Sequence, residues 1–141
     1  MPSRLDQDGP ITSKASVRSH TVYVDRPVAK GGADRGPLGG EYVLVGLGGC
    51  FTSHLLAAIA ARQLAISDVS VAVSGTLGGS PERFTAFELT VSADSADPQA
   101  LAHVVALAER SCQVVTTMRL AADVRVRIAD AGETRGEVLH L

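Results

Sequence analysis

The stretch EYVLVGLGGCFTSHLLAAIAAR, residues 41–62, decides the fold that this sequence predicts. The twenty residues between Glu41 and Arg62 carry no charge, and they are apolar or small apart from Thr52, Ser53 and His54. A helix that is apolar on every side either spans a membrane or lies at the centre of a folded protein. We expect a buried helix, because its polar residues fall at its middle and no basic cluster marks one end.

The composition indicates a single soluble domain. The chain has 141 residues, a net charge of −2 and a pI near 6.0, so no basic surface calls for nucleic acid or an anionic membrane. The polar N-terminus argues against a signal peptide and for the cytoplasm, where the two cysteines are expected to be thiols. Aromatic residues make up 4% of the chain, so we expect a homodimer that buries the apolar helix against a second copy.

The patterns before and after the helix predict strands. Residues 1–16 indicate a flexible N-terminal arm, residues 17–24 alternate as a strand does, and a Gly/Pro-rich loop occupies residues 26–40. Residues 68–77 and 84–91 predict two strands with one buried face, joined by the breaker-rich turn GGSPER. This part of the chain therefore predicts a β-hairpin.

A second helix is predicted to follow the hairpin. Asp97 suits the N-cap and Pro98 the first helical position. Apolar residues at helical spacing lead to Cys112, on the same face. We expect helical structure to about Leu120, with a break near Ser111.

The predicted fold class is α+β, with an antiparallel sheet. Residues 124–128 alternate as a last strand, and residues 131–141 form a C-terminal tail without an assigned structure. Helices segregated from mainly antiparallel strands are typical of α+β domains. We place the domain at residues 17–130.

The two cysteines are the candidate chemistry. Cys50 lies in the central helix, and its 62-residue separation from Cys112 fits no zinc site, so no metal is expected. No cofactor is expected either. A lone cysteine on an apolar helix face is usually a small buried hydrophobe. Against that, three glycines precede Cys50 and allow another group to come close: Gly46, Gly48 and Gly49.

Two segments carry a family resemblance. HTVYVDRPVAKGGADRGPLGGEYVLVGLGGCF (20–51) and CQVVTTM (112–118) resemble the OsmC/Ohr family of osmotically inducible and organic-hydroperoxide-resistance proteins, and the resemblance extends over residues 17–129. It implies an OsmC-like α+β fold with two long central helices, an intertwined homodimer and thiol sites at the subunit interface. It also implies reduction of organic hydroperoxides.

The resemblance also implies roles for particular residues. A Cys50 thiolate would attack the peroxide, Cys112 would condense with the resulting sulfenic acid, and an external dithiol would restore both thiols. The family pairs an arginine with a glutamate to support the thiolate. Glu41 matches the glutamate; it lies nine residues before Cys50, on the opposite side of the helix and about 13 Å along its axis, so we infer that it serves the other subunit. Arg18, expected inside the first strand, is the first choice for the arginine.

Arg26 and Arg35 are alternatives to Arg18. Gln113 stands where a proline commonly follows the second cysteine, and glycines replace the usual residues before Glu41; both departures concern turnover more than fold.

His54 follows Cys50 by one helical turn and could form a Cys/His nucleophile or half a metal site. A histidine hydrogen-bonded at the subunit interface is the favoured interpretation, because no third group is evident. The other histidines show no constellation: His20, His103 and His140.

Two other functions compete with the peroxidase. A non-catalytic member of the family could bind a small hydrophobic molecule in the dimer interface. Alternatively, Cys50 and His54 could form an acyl-transfer enzyme that does not need Cys112.

Overall fold

The computed structural model describes residues 1–133 and 135. The chain forms two compact units, Met1–Val43 and a second unit that begins at Leu44. Its helices and strands follow in the order β1 Arg4–Gln7, β2 Ser13–Val17, β3 His20–Val24, a short 3-10 helix Val28–Lys30, α1 Gly39–Ala61, β4 Ile66–Gly78, β5 Arg83–Ser95, α2 Pro98–Ser111, α3 Gln113–Met118 and β6 Asp123–Ile128. This is the α+β class that the sequence predicts.

The first unit contains an antiparallel sheet in the order β1-β2-β3. The sequence predicts a flexible N-terminal arm over residues 1–16. For the secondary structure this prediction is wrong, because that segment contains β1 and most of β2. The sequence does not reveal these strands, since β1 is exposed at all four residues and has no buried face to produce an alternating pattern. Backbone pairing between neighbouring strands, as between Ala15 and Val22, forms the sheet instead.

The strand predicted over residues 17–24 is interrupted by a turn. Val17 pairs with His20, so Arg18 and Ser19 form a two-residue hairpin loop between β2 and β3. Arg18 has a φ of 53°, a left-handed conformation that usually selects Gly, Asn or Asp. Arg18 is thus an exposed turn residue and does not lie inside a strand, which corrects the prediction.

The Gly/Pro-rich loop of the first unit is organised around Asp25. This residue is 2% exposed, and its carboxylate accepts four hydrogen bonds, from the Thr12 hydroxyl (2.9 Å) and from the backbone N–H groups of Arg26 (2.7 Å), Ala33 (3.3 Å) and Arg35 (3.1 Å). The loop also passes very close to other backbone. A Cβ on Gly32 would lie 2.0 Å from the Arg26 carbonyl oxygen, and one on Gly36 would lie 2.1 Å from that of Tyr23.

Helix α1 spans Gly39–Ala61, close to the predicted residues 41–62. The Glu41 carboxylate accepts a hydrogen bond from the Leu38 N–H (2.9 Å) and so caps the first turn. By length and composition this helix could cross a membrane, with a mean hydropathy of 1.8. The core helix of a soluble protein passes the same test, and four large side chains of α1 are buried in the second unit: Leu47, Phe51, Leu55 and Ile59.

The second unit contains a sheet in the order β4-β5-β6. Strands β4 and β5 form the predicted antiparallel hairpin, with Val71 opposite Val91 and Val73 opposite Leu89. Strand β6 pairs with β5 in parallel, so this sheet is mixed, which corrects the prediction of an antiparallel sheet. Parallel neighbours need a long crossover, and helices α2 and α3 supply it.

The start and the break of the second helix are as predicted. Asp97 caps α2 by accepting hydrogen bonds from the N–H groups of Gln99 (3.0 Å) and Ala100 (3.1 Å), and Pro98 is the first helical residue. The helix stops at Ser111, and α3 begins at Gln113 and ends at Met118, two residues before the expected Leu120. The buried face of α2 consists of Leu101, Val104, Val105 and Ala108.

Candidate thiol site

Cys50 lies on α1 at the edge of its buried face. The neighbouring buried residues Leu47 and Phe51 are fully excluded from solvent, whereas Cys50 itself is half-buried. Gly48 brings this turn of the helix against β4: a Cβ there would lie 2.6 Å from the Val73 side chain. Gly48 therefore packs this turn closely against β4, while Cys50 two residues later stays half-buried.

Cys112 lies at the junction of α2 and α3. Its backbone is extended, with φ −75° and ψ 109°, so it interrupts the helix and acts as the N-cap of α3. Its Sγ accepts a hydrogen bond from the Val115 N–H (3.4 Å), and the residue is 0% exposed. The break thus places a completely buried thiol at a defined position.

The two thiols are neighbours in the second unit. Burial is the main reason that the pKa of Cys112 is raised; the Val115 N–H opposes this, and hydrogen-bonding and charge interactions with Cys50 raise the pKa further. Both cysteines are free. Cys112 is therefore a protonated thiol at neutral pH, next to the more accessible Cys50.

Gln113 connects this site to His54. Its side-chain oxygen lies 3.6 Å from Cys50 Sγ and 3.0 Å from His54 Nε2. From the sequence alone, Gln113 is only a departure from the family pattern, and His54 has no evident third group. The pairing could not be found from spacing, because Gln113 approaches α1 from an element more than fifty residues away along the chain.

The other proposed site residues lie in the first unit. Glu41 caps its own helix, and Arg18 is in the exposed β2–β3 turn. The Arg35 guanidinium binds the Asp8 carboxylate (2.8 Å) and stacks over the Tyr23 ring, 4.7 Å from its centroid. The Arg26 backbone donates to Asp25.

Two of the remaining histidines lie in the part of the chain that the structure describes. His20 begins β3 and His103 is exposed on α2, while His140 and most of the tail over residues 131–141 lie outside the described residues. Within residues 1–133 and 135, no group of three or more His, Cys, Asp or Glu side chains could hold a metal ion.

The two thiols are expected to differ in reactivity. In the native protein at pH 7–8, iodoacetamide should modify Cys50 about tenfold faster than Cys112, because Cys112 is buried and protonated. Peptide mass spectrometry after timed quenching measures both rates. Equal rates in the native protein would contradict this arrangement, whereas equal rates in guanidinium chloride are the expected control.

A match to a family model identifies the class of protein to which this chain belongs. Residues 31–127 match the family model described as OsmC-like protein, which covers more than half of the sequence. The chain belongs to the OsmC family.

Solved structures share the fold at low sequence identity. The OsmC-like protein from Mycoplasma pneumoniae has a TM-score of 0.80 and 14% identity, covering 91% of this chain and 94% of that one. The organic hydroperoxide resistance protein OsmC from Legionella pneumophila has a TM-score of 0.71 and 17% identity, covering 92% and 98%. An organic hydroperoxide resistance protein from Elizabethkingia anophelis has a TM-score of 0.71 and 16% identity, covering 91% and 94%. No curated protein sequence matches the chain.

Proposed function

We propose that this protein is a thiol-dependent peroxidase that reduces organic hydroperoxides, with Cys50 as the attacking thiol and Cys112 as the resolving thiol. The observation that carries the proposal is the pairing of a half-buried thiol with a completely buried, protonated one. Membership of the OsmC family supports it, as do the names of the Legionella and Elizabethkingia proteins.

The reaction balances in three steps. The Cys50 thiolate attacks the terminal oxygen of ROOH, the O–O bond breaks, and the departing RO⁻ takes a proton to become an alcohol. The resulting sulfenic acid condenses with the Cys112 thiol to form a disulfide and release water. An external dithiol then reduces that disulfide and is itself oxidised to a disulfide, and no metal or cofactor takes part.

Glu41 and an arginine are proposed to support the thiolate. One oxygen of Glu41 accepts the Leu38 N–H, which leaves the second oxygen to pair with a guanidinium. The Arg35 guanidinium is already held by Asp8 and Tyr23, so Arg18 and Arg26 are the better candidates, with Arg18 first.

This choice predicts that Arg18→Gln slows peroxide reduction, whereas Arg35→Gln leaves the rate of peroxide reduction nearly unchanged.

A second copy of the chain is the proposed partner of α1. Several apolar or small residues on this helix are exposed, among them Val45 at 62% and Leu56 at 49%. Burying such residues in a homodimer is favourable. The proposed location is the cytoplasm, whose reducing conditions keep free thiols reduced.

The dimer has a direct test in sedimentation. The wild-type protein should sediment as a dimer at micromolar concentration, and Leu56→Glu should shift it to the monomer because a charge would be buried at the interface. Leu77→Glu is the matched control, since Leu77 is similarly exposed at 55% but lies on β4. A wild-type monomer would contradict the proposal.

The proposed activity is tested by following cumene hydroperoxide consumption in the presence of dithiothreitol. Turnover with this organic peroxide, faster than with hydrogen peroxide, is the expected result. Absence of turnover with both peroxides in folded, reduced protein would overturn the proposal and favour binding of a small hydrophobic molecule.

A further inference from the structure

Gln113 places one polar atom between two reactive side chains. It is the first residue of α3, directly after Cys112, and its side chain is exposed. The same Oε1 atom lies 3.6 Å from Cys50 Sγ and 3.0 Å from His54 Nε2. An amide oxygen only accepts hydrogen bonds, so both partners must donate: Cys50 through its S–H and His54 through a proton on Nε2.

This arrangement suits the thiol but not the thiolate. A Cys50 thiolate has no proton to donate, and the amide oxygen facing it would carry partial negative charge. A half-turn about the Cγ–Cδ bond exchanges the oxygen for the NH2 group, which occupies nearly the same space and has two N–H donors. One N–H can then point at the sulfur and the other at His54 Nε2, which must become an acceptor with the ring proton on Nδ1.

We propose that Gln113 is a positioning residue whose side-chain amide turns when Cys50 ionises, accepting from the thiol and donating to the thiolate, with His54 changing tautomer in step. The proton that leaves Cys50 passes to solvent, and no redox change is involved. The inference rests on the proposed function only in taking the thiolate as the reactive form of Cys50.

The same geometry argues against Cys50 and His54 as an acyl-transfer pair. In the thiol form, Nε2 of His54 carries the ring proton and donates it to Gln113, so this nitrogen is not a free base that could activate Cys50. Among residues 1–133 and 135, the titratable groups that meet Cys50 or Gln113 are His54 on the same helix and Cys112 at the α2–α3 junction. Cys112 stays protonated near neutral pH and adds no charge there.

The first test measures the rate of Cys50 alkylation by iodoacetamide from pH 5 to pH 10, by peptide mass spectrometry. Gln113→Glu keeps the size of the side chain but adds a negative charge, so the rate at pH 7 should fall about tenfold and the profile should move up by about one pH unit. Gln113→Met removes both donor and acceptor and should slow alkylation about threefold at pH 7. Gln99→Glu adds a charge to the first turn of α2 and should leave the profile unchanged.

The second test follows the tautomer of His54 by ¹⁵N NMR in the wild-type protein. As the pH passes the midpoint of the alkylation profile, the ring proton should move from Nε2 to Nδ1, and this change should be absent in Gln113→Met. Profiles that superimpose within twofold for all variants, or a His54 proton that stays on Nε2, would overturn the inference. Neither test uses peroxide. Shifted alkylation profiles in a protein without peroxidase turnover would therefore contradict the proposed function but support the inference about Gln113.

Discussion

Cys50→Ser is expected to lower dithiol-dependent reduction of cumene hydroperoxide by about 1000-fold or more. A serine hydroxyl does not ionise at neutral pH. It also cannot accept the peroxide oxygen, as a cysteine thiolate does when it becomes a sulfenic acid. The substitution is nearly isosteric at a half-buried position, so the protein should fold normally. The measurement is the steady-state rate, with the melting temperature as the check on folding.

Cys112→Ser provides the contrast. Its hydroxyl can cap α3 in place of Sγ, because serine is a favoured N-cap residue and the Val115 N–H is already in position. This variant should still reduce about one equivalent of peroxide per chain, and its Cys50 sulfenic acid should persist and react with dimedone. Its turnover should fall by about tenfold or more at low dithiol concentration, since the external thiol must then reach Cys50 directly.

Together, Cys50→Ser and Cys112→Ser test the separate roles of the two thiols. Full activity in Cys50→Ser would contradict the assignment of the attacking thiol. Unchanged turnover in Cys112→Ser, with no sulfenic acid trapped, would remove Cys112 from the mechanism.

Asp25→Ala is expected to lower the melting temperature by on the order of 10 °C. Four donors converge on this buried carboxylate, and alanine would leave them without their acceptor. Differential scanning calorimetry measures the effect. Asp6→Ala is the matched control in the same unit, because Asp6 forms an exposed pair with Arg4 that contributes little to stability. A shift as small as that of the control would show that the loop does not depend on Asp25.

The same carboxylate predicts a pH dependence. Burial raises the pKa of Asp25, but the combined hydrogen bonds from the Arg35, Arg26 and Ala33 N–H groups and from Thr12 outweigh it and leave the pKa lowered. A lowered pKa in the folded state means that Asp25 contributes stability above the unfolded pKa of 3.8, and that this is lost as the pH falls further. The wild-type protein should therefore lose more stability than Asp25→Ala when the pH drops from 5 to 3.

The features that the sequence predicts well are those that depend on patterns of neighbouring residues. The uncharged run of α1, the alternation of the β4–β5 hairpin and the Asp97-Pro98 start of α2 each appear within a few neighbouring residues. The missed features depend on partners distant in sequence. Strand β1 has no buried face, and the parallel placement of β6 follows from the crossover and not from its own residues.

The residues of the candidate site also divide into those that the sequence predicts and those that depend on partners distant in sequence. Cys50 and Cys112 are the two cysteines of the sequence, the family resemblance implies their separate roles, and the structure brings their thiols together. The position of Arg18 was missed because a left-handed arginine carries no turn signal in the sequence. The link from Gln113 to Cys50 and His54 exists only once α1 and α3 are packed, so no spacing rule could reveal it.

The close packing of two glycines in the loop after β3 limits which substitutions this loop can accept during evolution. Composition alone marks this segment as a place that tolerates substitution, since loops rich in Gly and Pro usually vary. At Gly32 and Gly36, however, even one added methyl group would collide with the carbonyl oxygen of another residue's backbone. Related sequences should therefore diverge freely at the exposed neighbours of these positions while keeping both glycines.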